Sequence, residues 1–293
     1  MAMSVETQPS AIVSYHRRRS FSLKTLLTVA LLTCGAVVMV APFAWIIQLA
    51  FTNNVAQVYE IPPRWFPTNP TLSNFADVFD QVPFGRFMWN SLKVAGAITI
   101  GQLVICSTGA FAFARLRFPG RDPLFILLLS GLMIPLQVTI VPLFILMREL
   151  ELYNTHWALI LPPLANPFGV FLLRQYIMSV PKELDEAARI DGASIFTIYW
   201  RIILPLIGPA LVTLAILAFV FWWNDFFFPL IMINERDLQT LPVGLTLLRG
   251  RYDAGSLATV AAGITMAIVP VLIVFLLLQR NIIKSIATSG LKG

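Results

Sequence analysis

Six apolar runs, at residues 26–51, 94–114, 124–147, 157–176, 209–233 and 257–278, constrain this chain more than any other feature. The second, of 21 residues, rises about 32 Å as a helix, against a hydrocarbon core of about 30 Å. Each run therefore crosses a bilayer once, and because backbone groups in lipid must pair within their own segment, each crossing is a helix. With 57% hydrophobic and only 12% charged residues over 293 positions, the chain lies outside the composition of a soluble domain. The expected fold class is an all-α integral membrane protein with six transmembrane helices.

Six crossings put both termini on one side. With the termini inside, 14 of the 21 Lys and Arg fall on cytoplasmic segments and seven outside. That bias satisfies the positive-inside rule and accounts for the +6 net charge without a nucleic-acid partner. Residues 1–22 then form a cytoplasmic N-terminal tail, 23–279 the six-span body and 280–293 a cytoplasmic C-terminal tail. The basic stretch His16–Lys24, with its twin-Arg hint at Arg18 and Arg19, also suits a secretory signal. The apolar run behind it, however, is longer than the about 7–15 residues of a signal core. Residues 52–87 read as an exposed connection with a short helix over 72–79, capped by Ser73 and presenting Phe75, Val78 and Phe79 on one face. Trp65 and Trp89 suit an interfacial belt.

Several chemistries are excluded. Cys34 and Cys106 both lie in apolar runs, and His16 and His156 are isolated, so neither a disulfide framework nor a metal-ligand set is present. No nucleophile, base or ligand set points to an intramembrane enzyme. There is no GxxxxGK[ST] and no Gly-Lys pair, so the chain does not cradle ATP phosphates in the usual way.

Two runs carry features that lipid penalises. In LPPLANPFG, Pro162, Pro163, Asn166 and Pro167 interrupt the fourth run. Such a break is either a kink packed in a bundle or a wall of a translocation path, with Pro163 and Asn166 as candidates. The fifth run carries FVFWWNDFFFPL, Phe219 to Leu230. An ionisable group at a helix centre costs about 2.5–3.5 kcal/mol on insertion scales. Asn224 and Asp225, with Trp222 and Trp223, are accordingly candidates for the path. Helix packing, interface anchoring and an aromatic belt are the alternatives.

Between the fourth and fifth runs lies the one long polar insert, ELDEAARIDGASIFTIYWRIILP, Glu183 to Pro205. Pro181 suits a first helical turn, and Glu183, Asp185 and Glu186 suit its positive end. Lys182, Asp185, Glu186 and Arg189 share a polar face opposite Leu184, Ala187 and Ala188. Gly192 follows where a left-handed residue ends a helix. Beyond it Ile195, Ile198, Tyr199 and Ile202 share a face of a second helix, which Pro205 stops. Periodicity alone leaves an amphipathic interfacial connector open.

Glu186, Ala187 and Ala188 are followed by three residues to Gly192, nine to Ile202, then Leu204 and Pro205. All seven positions match the EAA loop of ABC importer permeases, which this stretch resembles. AFAFARLRFPGR (110–121), IPLQVTIVPLF (134–144), FLLRQYIMSVPKELDEAARIDGAS (171–194) and FWWNDFFFPL (221–230) are similar to the carbohydrate branch of that family, of maltose and glycerol-phosphate type. The resemblance implies a type I importer permease fold in a bacterial inner membrane. It also implies that residues 180–206 form a cytoplasmic coupling loop docked on an ATPase subunit through Glu183, Glu186, Ala187, Ala188, Gly192 and Ala193, with Ile202, Leu204 and Pro205 joining it to the fifth span. It implies a second homologous permease, two nucleotide-binding ATPase subunits that hold ATP and Mg, an extracytoplasmic substrate-binding protein and a carbohydrate substrate. This chain itself is expected to bind no cofactor and to catalyse no reaction. A permease for a non-sugar solute, and an ion-coupled carrier using Asp225, remain as alternatives.

Overall fold

The computed structural model describes residues 23–53, 65–249 and 256–289, with side chains described through 248 and again over 257–279. The expected N-terminal tail 1–22 lies outside the described residues, as does the end of the C-terminal tail. Among the described residues there are helices and no strands, apart from an isolated bridge between Thr52 and Pro70.

Helix α1, Leu23–Ala50, carries Pro42 inside it, and Leu31, Val38 and Met39 are exposed. Apolar side chains of that kind facing outward suit a hydrocarbon solvent. Its C-terminal carbonyls are satisfied from α2, Ser73–Gln81, where Asn74 Nδ2 donates to the carbonyls of Ala50 and Thr52 at 2.9 and 3.0 Å. The Thr71 hydroxyl, rather than that of Ser73, organises the entry to α2 by accepting Ser73 N–H at 3.1 Å.

The organising element is α3, Phe84–Arg115, 32 residues without a proline. It is longer than its apolar run because the polar residues before that run are paired: Asn90 donates to the carbonyls of Asp237 and Gln239, and Ser91 Oγ accepts Leu241 N–H at 2.7 Å. All three buried clusters of the body draw on it. Phe84, Phe87 and Ala95 enter the first, Val94 and Ile98 the second, and Cys106, Ala110 and Phe111 the third.

The next three apolar helix pairs are bent. Arg121–Ser130 (α4) and Leu136–Glu149 (α5) belong to a helix pair bent by 101°. Pro135 forces Ile134 into an extended backbone, φ −93° and ψ 112°, and stops the turn before it. His156–Ile160 (α6) and Pro167–Ser179 (α7) meet at 41° across the Pro-rich break. Glu183–Ile190 (α8) and Ile195–Ile198 (α9) form the polar insert, which turns by 74° at Ile207 into α10, Gly208–Trp223. Phe227–Met232 (α11), Leu241–Thr246 (α12) and Ser256–Ser289 (α13) complete the chain. The apolar part of α13, Leu257–Gln279, is long enough to cross a membrane.

Candidate coupling loop and translocation path

The polar insert is two short helices about a glycine. Glu183, Asp185 and Glu186 occupy the first turn of α8, where carboxylates favour the helix dipole. At its end Gly192 takes φ +82°. Gly192 N–H donates to Arg189 O at 3.0 Å and Ala193 N–H to Ala188 O at 2.9 Å, the pair of bonds that closes a helix through a left-handed residue. Ser194 then caps α9 by accepting Thr197 N–H at 3.1 Å.

The faces of α8 differ from the helical-wheel expectation. Asp185, expected on the solvated polar face, is 7% exposed. Its Oδ2 lies 2.7 Å from Nε of Arg115, the last residue of α3, whose side chain is only 4% exposed. A buried carboxylate is tolerated only with such a partner. Ala188, Ala193, Ile202 and Leu204 pack against the cluster around Phe111 and Tyr199. The outward face carries Glu183, Leu184, Glu186, Ala187 and Ile190, and Ile190 is 87% exposed. Beside the pair opens a cleft of about 580 Å³ in which Arg117, Arg121, Lys182 and Arg189 outnumber Glu186.

The second helix of the insert also departs from expectation. Pro205 does not stop it. After α9 the chain forms a π-type stretch over Tyr199–Ile203 and one more turn, Leu204–Leu206. That wider winding accommodates a proline with no N–H to donate. Direction changes instead at Ile207–Gly208, and the buried face is Ile198, Tyr199 and Ile203.

The broken spans surround a cavity of about 900 Å³, lined by Pro163, Asn166, Phe221, Trp222 and Thr139 among largely apolar side chains. Gln102 of α3 underlies it. Its Nε2 donates to Pro163 O at 2.7 Å, its Oε1 accepts from Asn166 Nδ2 at 3.2 Å, and Asn166 Oδ1 in turn accepts Gly169 N–H to cap α7. A polar side chain thus satisfies the backbone that the prolines leave open. Gly169 permits the close approach of α7, since a Cβ there would lie 2.8 Å from Cys106 Sγ. Gln102 is a residue that helix-run reading passed over. A lone amide near the middle of an otherwise apolar span was the available signal.

The remaining path candidates lie elsewhere. Trp223, expected near the path, is 2% exposed, stacks on Phe219 at 5.6 Å between ring centroids and donates to Ala267 O. It is part of the core because it sits one residue, and so about 100°, round the helix from Trp222. Asn224 and Asp225 are not among the residues lining the cavity. They fall at the break between α10 and α11, where Asn224 Nδ2 donates to Val220 O at 2.7 Å and Asp225 Oδ1 accepts Phe228 N–H at 3.5 Å. Among the described residues no group of three or more His, Cys, Asp or Glu is arranged to hold a metal ion.

Apolar helices long enough to cross a membrane, bent helix pairs around a cavity and a structured polar loop are the features of a multi-pass membrane protein. The comparisons with known proteins resolve the class further. The family described as binding-protein-dependent transport system inner membrane component matches residues 105–288. The arabinooligosaccharides transport system permease protein AraQ of Halalkalibacterium halodurans is 40% identical over 228 residues, covering 78% of this chain and 81% of that protein. The probable ABC transporter permease protein YurM of Bacillus subtilis is 36% identical over 257 residues, covering 86% and 83%. The crystal structure of a bacterial ABC transporter that imports the acidic polysaccharide alginate shares the fold, with a TM-score of 0.79 at 24% identity over 89% of this chain and 97% of that one. The chain belongs to the binding-protein-dependent transport system inner membrane component family. It is an inner-membrane permease subunit of a binding-protein-dependent ABC transport system, and its family is one of transport subunits.

Proposed function

We propose that this chain pairs with a second homologous permease to form the translocation path of an ATP-driven importer of oligosaccharides. Residues 180–206 face the cytoplasm and dock on one of two ATPase subunits, which hold ATP and Mg. An extracytoplasmic binding protein delivers the substrate. Both termini are cytoplasmic, with 23–279 as the permease body and 1–22 and 280–293 as tails.

One observation carries the coupling assignment. Glu186, Ala187 and Ala188 of the motif lie on α8, which closes at Gly192, and Leu184, Ala187 and Ile190 of that helix are exposed among the described residues. An exposed apolar stripe flanked by Glu183 and Glu186 is suited to a groove on a soluble partner. Carbohydrate as the substrate is supported by the names of the relatives, among them permeases for arabinooligosaccharides, galactooligosaccharides and diacetylchitobiose. The cavity chemistry agrees: aromatic faces at Phe221 and Trp222 beside the amide of Asn166 suit a sugar's apolar face and hydroxyls. Asp225 serves the break between α10 and α11, which supports an anchoring role over ion coupling. The test is purification of the intact complex with its binding protein and a saccharide panel scored for stimulated ATPase activity. Stimulation by an oligosaccharide is the expected result; stimulation only by a non-sugar solute overturns the substrate class.

A further inference from the structure

The contacts of α3 form a series along its whole length. At one end Asn90 and Ser91 hold the stretch 237–241. In the middle Gln102 holds Pro163 and Asn166 at the cavity wall. Further along, Ser107 Oγ and Tyr199 Oη lie 2.7 Å apart, and the Phe111 and Tyr199 rings pack at 5.3 Å. At the last residue Arg115 Nη2 donates to Val180 O at 2.8 Å while Nε meets Asp185 Oδ2. One guanidinium therefore holds both the entry to the polar insert and its first helix.

Stability does not account for that pair. Arg115 Nε and Nη1 and Asp185 Oδ1 are buried without an aligned hydrogen-bond partner, so the 2.7 Å contact is an ion pair only, and a buried ion pair with unsatisfied atoms is generally no better than apolar residues of similar volume. What such a pair supplies is register. The three helix pairs next after α3 are bent, whereas α3 is continuous, and a continuous helix carries a displacement as one body.

The geometry points to Arg115 as a positioning residue for transport. With Asp185 it clamps α8 to the end of α3, so that displacement of the loop moves α3 and, through Gln102, the cavity wall. This inference rests on the reading of residues 180–206 as the ATPase-facing loop.

The test uses the full complex with Cys34→Ser and spin labels at Leu132→Cys and Phe221→Cys, two exposed residues of the cavity wall. The label-to-label distance is measured with and without ATP and vanadate. Arg115→Met/Asp185→Leu replaces the pair by apolar side chains, avoiding a new charge beside Arg117 and Lys182, and retention of the trapped nucleotide verifies that the variant is assembled. The expected result is a nucleotide-dependent shift in distance that the double variant loses. An unchanged shift in the assembled double variant overturns the inference. Gly192→Pro separates the two readings. If it abolishes the shift while the double variant keeps it, only the Arg115 clamp falls; if neither variant alters it, the coupling loop falls as well.

Discussion

Arg115 at the end of one span and Asp185 in the loop between two others meet at 2.7 Å with both side chains almost wholly buried. Neither charge is buried alone, and the consequences for single substitutions are asymmetric. Asp185→Ala leaves the guanidinium uncompensated and is expected to destabilise the protein by about 3–5 kcal/mol, whereas Arg115→Met/Asp185→Leu leaves no charge unpaired, loses only the bond to Val180 O and is expected to cost less. Thermal unfolding of the detergent-solubilised complex distinguishes them. Equal loss in both variants contradicts this account of the pair.

Gly192 sits at φ +82° with open space where a Cβ would project. Gly192→Ala is therefore a matter of backbone strain alone, about 1–2 kcal/mol, and leaves the loop's shape intact. Gly192→Pro fixes φ near −65° and removes the donor to Arg189 O. The expected outcome in proteoliposomes is ATP-dependent uptake close to normal for Ala and lost for Pro, with both proteins inserted.

Adjacent tryptophans separate path from packing. Trp222→Ala enlarges the cavity and is expected to raise the substrate concentration needed for half-maximal uptake, with a smaller fall in melting temperature than Trp223→Ala because Trp222 is only half-buried at the edge of two core clusters. Trp223→Ala removes a buried ring stacked on Phe219 and is expected to cost about 3–5 kcal/mol of stability. A melting temperature lowered equally by the two substitutions argues against the cavity assignment.

Gln102→Leu removes the donor to Pro163 O and the acceptor for the Asn166 amide at once. Each buried polar group left unpaired costs about 1–3 kcal/mol. The variant is expected to melt lower and to lose uptake more steeply than its stability loss explains, because the wall of the cavity shifts. Uptake that tracks the folded fraction alone contradicts the role of Gln102 at the wall.

At the break after α10, Asp225→Asn retains an oxygen to accept Phe228 N–H and is expected to transport at the normal rate. Asp225→Ala loses that hydrogen bond, worth about 1 kcal/mol. Uptake abolished by Asn at every substrate concentration favours a charge in the path and the ion-coupled alternative.

The legible parts of the fold are those set by local pattern. Run length announces six apolar segments, Pro162, Pro163 and Pro167 announce the break before α7, and Gly192 announces the end of α8. The rest depends on partners distant in the chain. Asp185 reads as solvated on any wheel, because its burial is decided by Arg115 on another span. Trp222 and Trp223 look alike until the packing of α13 against α10 assigns Ala267 as the acceptor for one of them. The 101° bend at Pro135 escaped because an unbroken apolar run continues through it, and hydropathy carries no information about direction.

The central claim is that ATP hydrolysed on partner subunits drives transport through the loop 180–206. The most direct measurement is oligosaccharide uptake by proteoliposomes holding the purified complex, with the binding protein outside, with or without ATP inside, and with or without an ionophore. Uptake that requires ATP and the binding protein and is indifferent to the ionophore is the expected result. Uptake that proceeds without ATP and collapses with the ion gradient contradicts the account.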